Sequence, residues 1–244
     1  MRTFKLTYPH SFSPTDMPET VSAIGFFDGI HKGHQKVIGK AVEIAKEKNM
    51  ESAVITFHPH PSVVLKKGQV HVQYITPLRE KHEILQQMNV DRLYIIKFNP
   101  ELSKLSPQEF VDHFIVGLNI KHLVAGFDYS FGHKGEGNMS NIDKYTKDRF
   151  DYTVIDKVTM DDEKVSSSRI RELLKQGDVE TVHQLLGRPL KYTSIVIPGA
   201  KRGANLGYPT ANMEINEEAL LPKIGVYAVK VIYKNAVYEC MASI

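Results

Sequence analysis

The chain has 244 residues, 42% of them hydrophobic and 24% charged, enough to bury a sizeable core in one large domain or in one domain plus part of another. Its formal net charge of +3 suits an anionic substrate, but no basic run marks a nucleic-acid groove and no stretch approaches the ~20 apolar residues of a membrane-spanning helix. Cys240 is the single cysteine, which rules out an internal disulfide and a thiolate metal cluster within one chain; with no apolar leader in MRTFKLTYPHSF, a cytoplasmic protein is expected.

Residues 1–20 contain Pro9, Pro14 and Pro18 and read as a short edge strand followed by an irregular entry. The first strong strand is predicted over 21–27. It breaks into Asp28, two glycines and two histidines, after which Val37, Ala41, Ile44 and Ala45 recur at helical spacing over 33–49. A second strand follows at 52–57, and the FHPHP segment after it reads as a rigid loop, because Pro59 and Pro61 remove donors and fix φ. Thr76 and Pro77 form a start signal, N-cap then first helical proline, for a helix to about Asn89. After a strand at 91–98, Ser106, Pro107 and Glu109 repeat that signal as a capping box, with a helix ending at 117–119. A fourth strand is expected at 122–127, a weaker helix at 141–150, a fifth strand at 152–158, and a helix at 168–175 closed by Gly177.

Such alternation of apolar strands with helices is the pattern of an α/β fold, a parallel sheet covered on both faces. Right-handed crossovers bring the loops leaving the strands to one edge, where ligands of open sheets bind. The informative loops are 28–34, 58–61, 128–138 and the segment leading into 166–171. Past Leu186 the pattern changes to strands alone, at 192–197, 225–233 and 236–244, a β-type second domain with Gly187-Arg188-Pro189 as junction. Three strands cannot close a barrel, so a shortened gene product or a piece of a larger protein is expected. Cys240 reads as a small half-buried strand residue.

Chemistry concentrates at 21–34. Gly29 and Gly33 permit a tight turn and close approach of a ligand, and the amides opening the next helix form an anion site. His31 and His34, three apart, lie on one face of that helix. A capped turn with solvated histidines is the plainer reading; two histidines around Gly33 favour a polyphosphate site. His58 and His60 lack a third ligand at metal spacing and suit a shaped substrate loop. His82, His113 and His183 fall on helical patterns and read as surface or satisfied residues.

Three segments, GFFDGIHKGHQ at 25–35, GFDYSFGHKGEGN at 126–138 and VSSSRIRELL at 165–174, resemble the signature segments of bacterial FAD synthetases, the adenylyltransferase half of the bifunctional riboflavin kinase/FMN adenylyltransferase proteins. The likeness covers roughly 15–186, and His31-Lys32-Gly33-His34 matches the His-x-Gly-His of the wider nucleotidyltransferase group. It implies a Rossmann-like domain over 1–186 that transfers the adenylyl group of ATP to FMN, with Mg2+, giving FAD and pyrophosphate. It also implies catalytic roles for His31, His34 and Arg171, with Arg169 the competing arginine. Gly25, Phe26, Phe27, Asp28, Gly33, Ser166, Ser167 and Ser168 would bind ATP, Asp28 orienting the turn or a histidine. His58, Pro59, His60, Phe127, Asp128, Tyr129 and Phe131 would bind the flavin, and Asp128 the metal through the phosphates; aromatics at alternating positions are also a core pattern.

Residues 187–244 resemble riboflavin kinase through Gly187-Arg188-Pro189, GYPTANM at 207–213 and IGVYAV at 224–229, so a partial all-β barrel is expected there. Thr210 and Asn212 match positions that hold Mg-ATP in that family, and the loop 199–207 would flank phosphates, although Ala200 and Ala204 depart from its usual residues. The family's later strands and its catalytic glutamate lie beyond Ile244, so no riboflavin phosphorylation is expected of this chain. Competing readings are the N-terminal portion of a bifunctional enzyme, a degenerate flavin-nucleotide sensor whose β domain docks a partner, and a transferase acting on another phosphorylated alcohol. The expected partners are small-molecule nucleotides, not nucleic acid or membrane.

Overall fold

The computed structural model describes residues 1–65, 72–199 and 210–244. In chain order the first region carries β1 (Arg2–Thr7), β2 (Thr20–Ile24), α1 (Lys32–Glu47), β3 (Glu51–His58), α2 (Pro61–Leu65), α3 (Leu78–Gln87), β4 (Arg92–Lys97), α4 (Pro107–Val111) and β5 (Ile120–Gly126). A short pair, β6 (Ser130–Phe131) and β7 (Gly137–Asn138), precedes α5 (Asp143–Thr146) and β8 (Asp151–Ile155). A second short pair, β9 (Thr159–Met160) and β10 (Glu163–Lys164), leads into α6 (Ser167–Gln176) and α7 (Val179–Leu186).

Six strands form one parallel, Rossmann-like sheet in the order β1-β4-β3-β2-β5-β8. The chain builds outward from β2 through β3 and β4, then crosses back to place β5 on the other side of β2. That reversal falls between β2 and β5, where Ile24 pairs with Ala125, and open α/β sheets bind ligands at the carboxyl ends of strands at such a point. Side-chain alternation divides the strands between two cores. Val21, Ala23, Val54, Leu93 and Val124 pack with Val37, Ile38, Ala41 and Ile44 of α1 and Leu85 of α3. Ile55, Tyr94, Ile96, Leu123 and Ala125 belong to the other, with Phe110, Phe114 and Ile115. Each fully buried Val, Leu, Ile or Phe among them contributes about 1.5–3 kcal/mol.

Several elements differ from expectation for identifiable reasons. β2 ends at Ile24 rather than 27, because Phe27 (φ 51°), Gly29 (φ 86°) and Ile30 (φ 39°) take left-handed backbone. Thr76 does not cap α3; the cap position falls on Pro77, while the Thr76 amide donates to Asp28 Oδ1 (3.1 Å). The Ser106–Glu109 capping box forms with Pro107 in the first turn, but after Val111 the helix continues as one π-helical turn over Asp112–Val116. The helix expected at 141–150 shrinks to α5, since Lys147 and Asp148 are left-handed. The helix α7, absent from the predicted elements, is capped by Asp178, which accepts from the Thr181 amide (2.9 Å), and buries Val182, Leu185 and Leu186.

The second region holds two antiparallel pairs, β11 (Ile195–Ile197) with β12 (Asn212–Glu214), and β13 (Val226–Tyr233) with β14 (Ala236–Ser243). Lys234 and Asn235, both at positive φ, close the latter hairpin with the two-residue turn that matches strand twist. Cys240 in β14 is exposed, not half-buried. Among the described residues three backbone bonds tie this region to the first: Tyr74 donates to the Glu218 carbonyl (2.6 Å), Leu220 donates to the Tyr74 carbonyl (2.8 Å) and Lys223 donates to the Leu174 carbonyl (2.8 Å).

Candidate active site

The turn leaving β2 is built around Asp28, which is only 3% exposed. Its carboxylate accepts from the amides of Ile75 (3.3 Å) and Thr76 (3.1 Å) and from Arg171 Nη2 (2.5 Å), while its carbonyl accepts from Ser167 Oγ (2.8 Å). Asp28 therefore orients the turn, the 75–76 segment and Arg171 rather than a histidine. A guanidinium has five N–H donors, so Arg171 retains capacity for phosphate oxygens. Arg169 is engaged elsewhere, with Glu163 (2.8 Å) and the Met160 carbonyl (3.1 Å). Of the three serines, Ser166 caps α6 by accepting from the Arg169 amide (3.2 Å), Ser167 holds the turn, and Ser168 is exposed.

His31 caps α1: its Nδ1 accepts from the His34 amide (3.3 Å), so in this tautomer the neutral ring carries its proton on Nε2. The two imidazoles stack with centroids 3.6 Å apart. A Cβ at residue 33 would lie 3.1 Å from the His31 ring, so Gly33 gives that ring its space. Burial, reinforced by Lys164, pushes the His31 pKa down to about 4; burial, with His31, Lys81 and Lys164, holds that of His34 well below the usual histidine value. Both rings are thus neutral donors at pH 7.

Phe27 is buried in the core and packs edge-on against His34 at 5.3 Å, and Gly25 leaves room for its ring. Phe26 faces the 58–61 loop, with His60 edge-on at 4.4 Å. Tyr74 joins the same wall: it lies 5.7 Å from the His58 ring, and its Oη accepts from the His60 amide (3.1 Å). Pro59, between the two histidines, leads to Pro61, where α2 starts.

The sequence did not single out Lys81. It lies on the buried side of α3, donates to the Phe26 carbonyl (2.7 Å) and Thr56 Oγ1 (3.2 Å), and sits 4.8 Å from the Phe26 ring centre; burial lowers its pKa to about 8. Its spacing from Leu78 and Leu85 puts it on the apolar stripe of α3, a signal the sequence carries, while its partners come from the turn after β2 and from β3.

The 126–138 loop divides into exposed and buried parts. Phe127 and Asp128 are exposed, and Lys164, also not singled out from the sequence, ion-pairs with Asp128 while lying over the Phe127 ring at 4.7 Å. Tyr129 packs against the core, and burial raises its phenol pKa. Phe131, expected in the flavin wall, is buried with Phe110 and Tyr145, and the close approach of Gly137 fits that ring. Thr210 and Asn212 are exposed, at and beside β12; Ala200, Ala204 and Gly207 lie outside the described residues. The structure thus brings the 28–34 turn, Arg171, Ser167 and the 58–61 loop together, and leaves Phe131 and Asn212 out of that group.

Among protein families, FAD synthetase matches residues 13–169 and riboflavin kinase residues 186–244. A Listeria monocytogenes protein named "Bifunctional riboflavin kinase/FMN adenylyltransferase" is 46% identical over 244 residues, 100% of this chain and 78% of the relative. A Bacillus subtilis protein of the same name is 44% identical, covering 100% of this chain and 77% of its own length. A solved structure from Streptococcus pneumoniae, titled as a macrolide-efflux protein, superposes with a TM-score of 0.88 at 31% identity, over 100% of this chain and 79% of that one. Among the described residues of the present chain, no helix is long and apolar enough to cross a membrane.

Proposed function

The chain belongs to the family of bifunctional riboflavin kinase/FMN adenylyltransferases and carries its FAD synthetase domain, a nucleotidyltransferase, and on that premise we propose how its residues divide the work. ATP lies along the 28–34 turn and FMN against the 58–61 loop; the edge-on contact of Phe26 with His60 supports moving Phe26 from the ATP side, where it was expected, to the flavin side. An FMN phosphate oxygen attacks the α-phosphorus in line; the new P–O bond forms as the bond to the bridging oxygen breaks and pyrophosphate leaves. The attacking oxygen is already anionic, so positioning and charge stabilisation carry the rate rather than a general base. His31 and His34 donate as neutral imidazoles to the α-phosphate, Arg171 offers its fork to the β- and γ-phosphates, and Asp28 fixes that fork in place.

Magnesium would neutralise charge on the triphosphate. The exposed Asp128 carboxylate lies near enough to His31 to raise its proton affinity, and no group of three or more His, Cys, Asp or Glu suited to a metal occurs among the described residues. This donor set fits a cation that arrives on the nucleotide and keeps its waters, with Asp128 as the protein contact.

The observation that carries this reading is the meeting of the stacked His31–His34 pair and the Asp28–Arg171 pair at the reversal of strand order. The second family match and the relatives' names support the chain as the N-terminal portion of a bifunctional enzyme over a single-activity one. In that portion, Thr210 and Asn212 are the candidate kinase-side contacts to ATP. The test is incubation with ATP, Mg2+ and either FMN or riboflavin, followed by separation of the flavins. FAD from FMN is expected, and tight FMN binding without FAD would replace the enzyme with a sensor. The riboflavin arm reads the second region: FMN formed there assigns kinase activity to it.

A further inference from the structure

Arg188 lies outside the FAD synthetase match at 13–169 and inside the riboflavin kinase match at 186–244. Its side chain nevertheless returns to the turn after β2. Nη2 donates to the Gly29 carbonyl (2.7 Å) and to Thr76 Oγ1 (3.3 Å); Nη1 donates to the carbonyls of Ile30 (3.1 Å) and Leu186 (3.3 Å). Gln35 Nε2 reinforces this contact, donating to the same Ile30 and Leu186 carbonyls at 2.8 and 2.7 Å. Among the described residues no carboxylate pairs with Arg188, so its charge is left to act on the turn itself.

The geometry of the peptide unit gives this contact a role. In a trans peptide the carbonyl and the following N–H point in opposite directions. Holding the Gly29 carbonyl against Arg188 turns the Ile30 N–H away from the guanidinium, and holding the Ile30 carbonyl does the same for the His31 N–H. Ile30 is β-branched yet sits at φ 39°, a backbone that such a residue keeps only when its surroundings over-determine it. His31 follows directly and caps α1.

We infer that Arg188 is a positioning residue for adenylyl transfer, holding the Gly29 and Ile30 carbonyls so that the following amides and the His31 ring face the nucleotide. The inference rests on the adenylyltransferase reading above and deepens it: a side chain assigned by sequence to the kinase domain completes the transferase site. Burial lowers the Arg188 pKa to about 10, which leaves it charged at neutral pH and able to add to the attraction for an anion.

The test compares Arg188→Ala, Arg188→Lys and Lys191→Ala with the unaltered full chain. Lys191 pairs with Glu83 (2.7 Å), an exposed contact between the same two regions that does not touch the turn. For Arg188→Ala, kcat for FAD formation should fall about ten- to a hundredfold, the KM for FMN should stay within about twofold, and amide exchange should quicken at residues 29–34 but not in β3. Arg188→Lys, with one ammonium in place of a fork, should fall between Arg188→Ala and the unaltered chain. Lys191→Ala should match the unaltered chain. The proposal is overturned if Arg188→Ala turns over normally, if exchange quickens throughout the sheet with a rise in KM, or if Lys191→Ala loses as much activity. If the unaltered chain makes no FAD, the functional reading fails instead, and exchange at 29–34 still decides whether Arg188 holds the turn.

Discussion

The inner strands of the first region, β2 to β5, lose both faces to packed side chains, whereas the β13–β14 hairpin turns much of its apolar surface to water: Val226, Ile232 and Met241 are 71%, 73% and 84% exposed. The difference lies in what sets strand register. In the hairpin, a two-residue turn and continuous backbone pairing from Tyr233 with Ala236 to Val226 with Ser243 suffice. A parallel sheet has no such local device, because each neighbour arrives through a crossover, and burial of one face or the other selects the register. Register is therefore set by side-chain burial in the first region and by the turn and backbone pairing in the second.

The largest test of that contrast is a pair of truncations. Phe114→Ala, at a fully buried site, should lower unfolding stability by about 3–5 kcal/mol, and Met241→Ala should change it by no more than about 0.5 kcal/mol, both read from urea titrations. Comparable losses at the two sites would break the contrast. Next in size is the chemistry. His34→Ala should lower kcat for FAD formation about 10²–10³-fold while Met241→Ala leaves it unchanged, as steady-state assays will show.

A smaller effect comes from acid. All 11 histidines precede Gly187, and the pKa values of His31 and His34 are depressed chiefly by burial. Below pH 6.5 the unfolded chain binds protons that these folded rings refuse, so stability contributed above that pH is lost as the pH falls. With His31 at about 4, its share of the loss is up to about 3 kcal/mol by pH 4. Thermal melts should decline across that window, and His31→Asn, whose amide can still cap, should flatten the decline.

Much of the first region was legible from sequence. Apolar periodicity gave the strands and α1, and the Ser106–Glu109 box and Gly177 marked helix ends that the structure keeps. What escaped has a common cause: long-range partners claimed groups that local rules assign to solvent or to caps. Thr76 should cap a helix, but its amide serves Asp28 and its hydroxyl accepts from Arg188. Lys81 is expected in water by its charge, yet it stands on the apolar stripe of α3 with Leu78 and Leu85, and a carbonyl from residue 26 and a hydroxyl from residue 56 receive its ammonium inside. Phe131 was ambiguous, since alternating aromatics serve a core as well as a ligand wall. The helix α7 was different, because Asp178, its apolar spacing and Gly187 had all the signals needed.

Asp28 also sets an order of assembly in time. Its backbone partners lie 47 and 48 residues downstream, but its arginine lies 143 residues away, on α6. During synthesis, β2 to β5 can pair while this carboxylate still lacks its countercharge. The turn is clasped only once Arg171 has left the ribosome, so β2 to β5 are all synthesised before the Asp28–Arg171 pair can form.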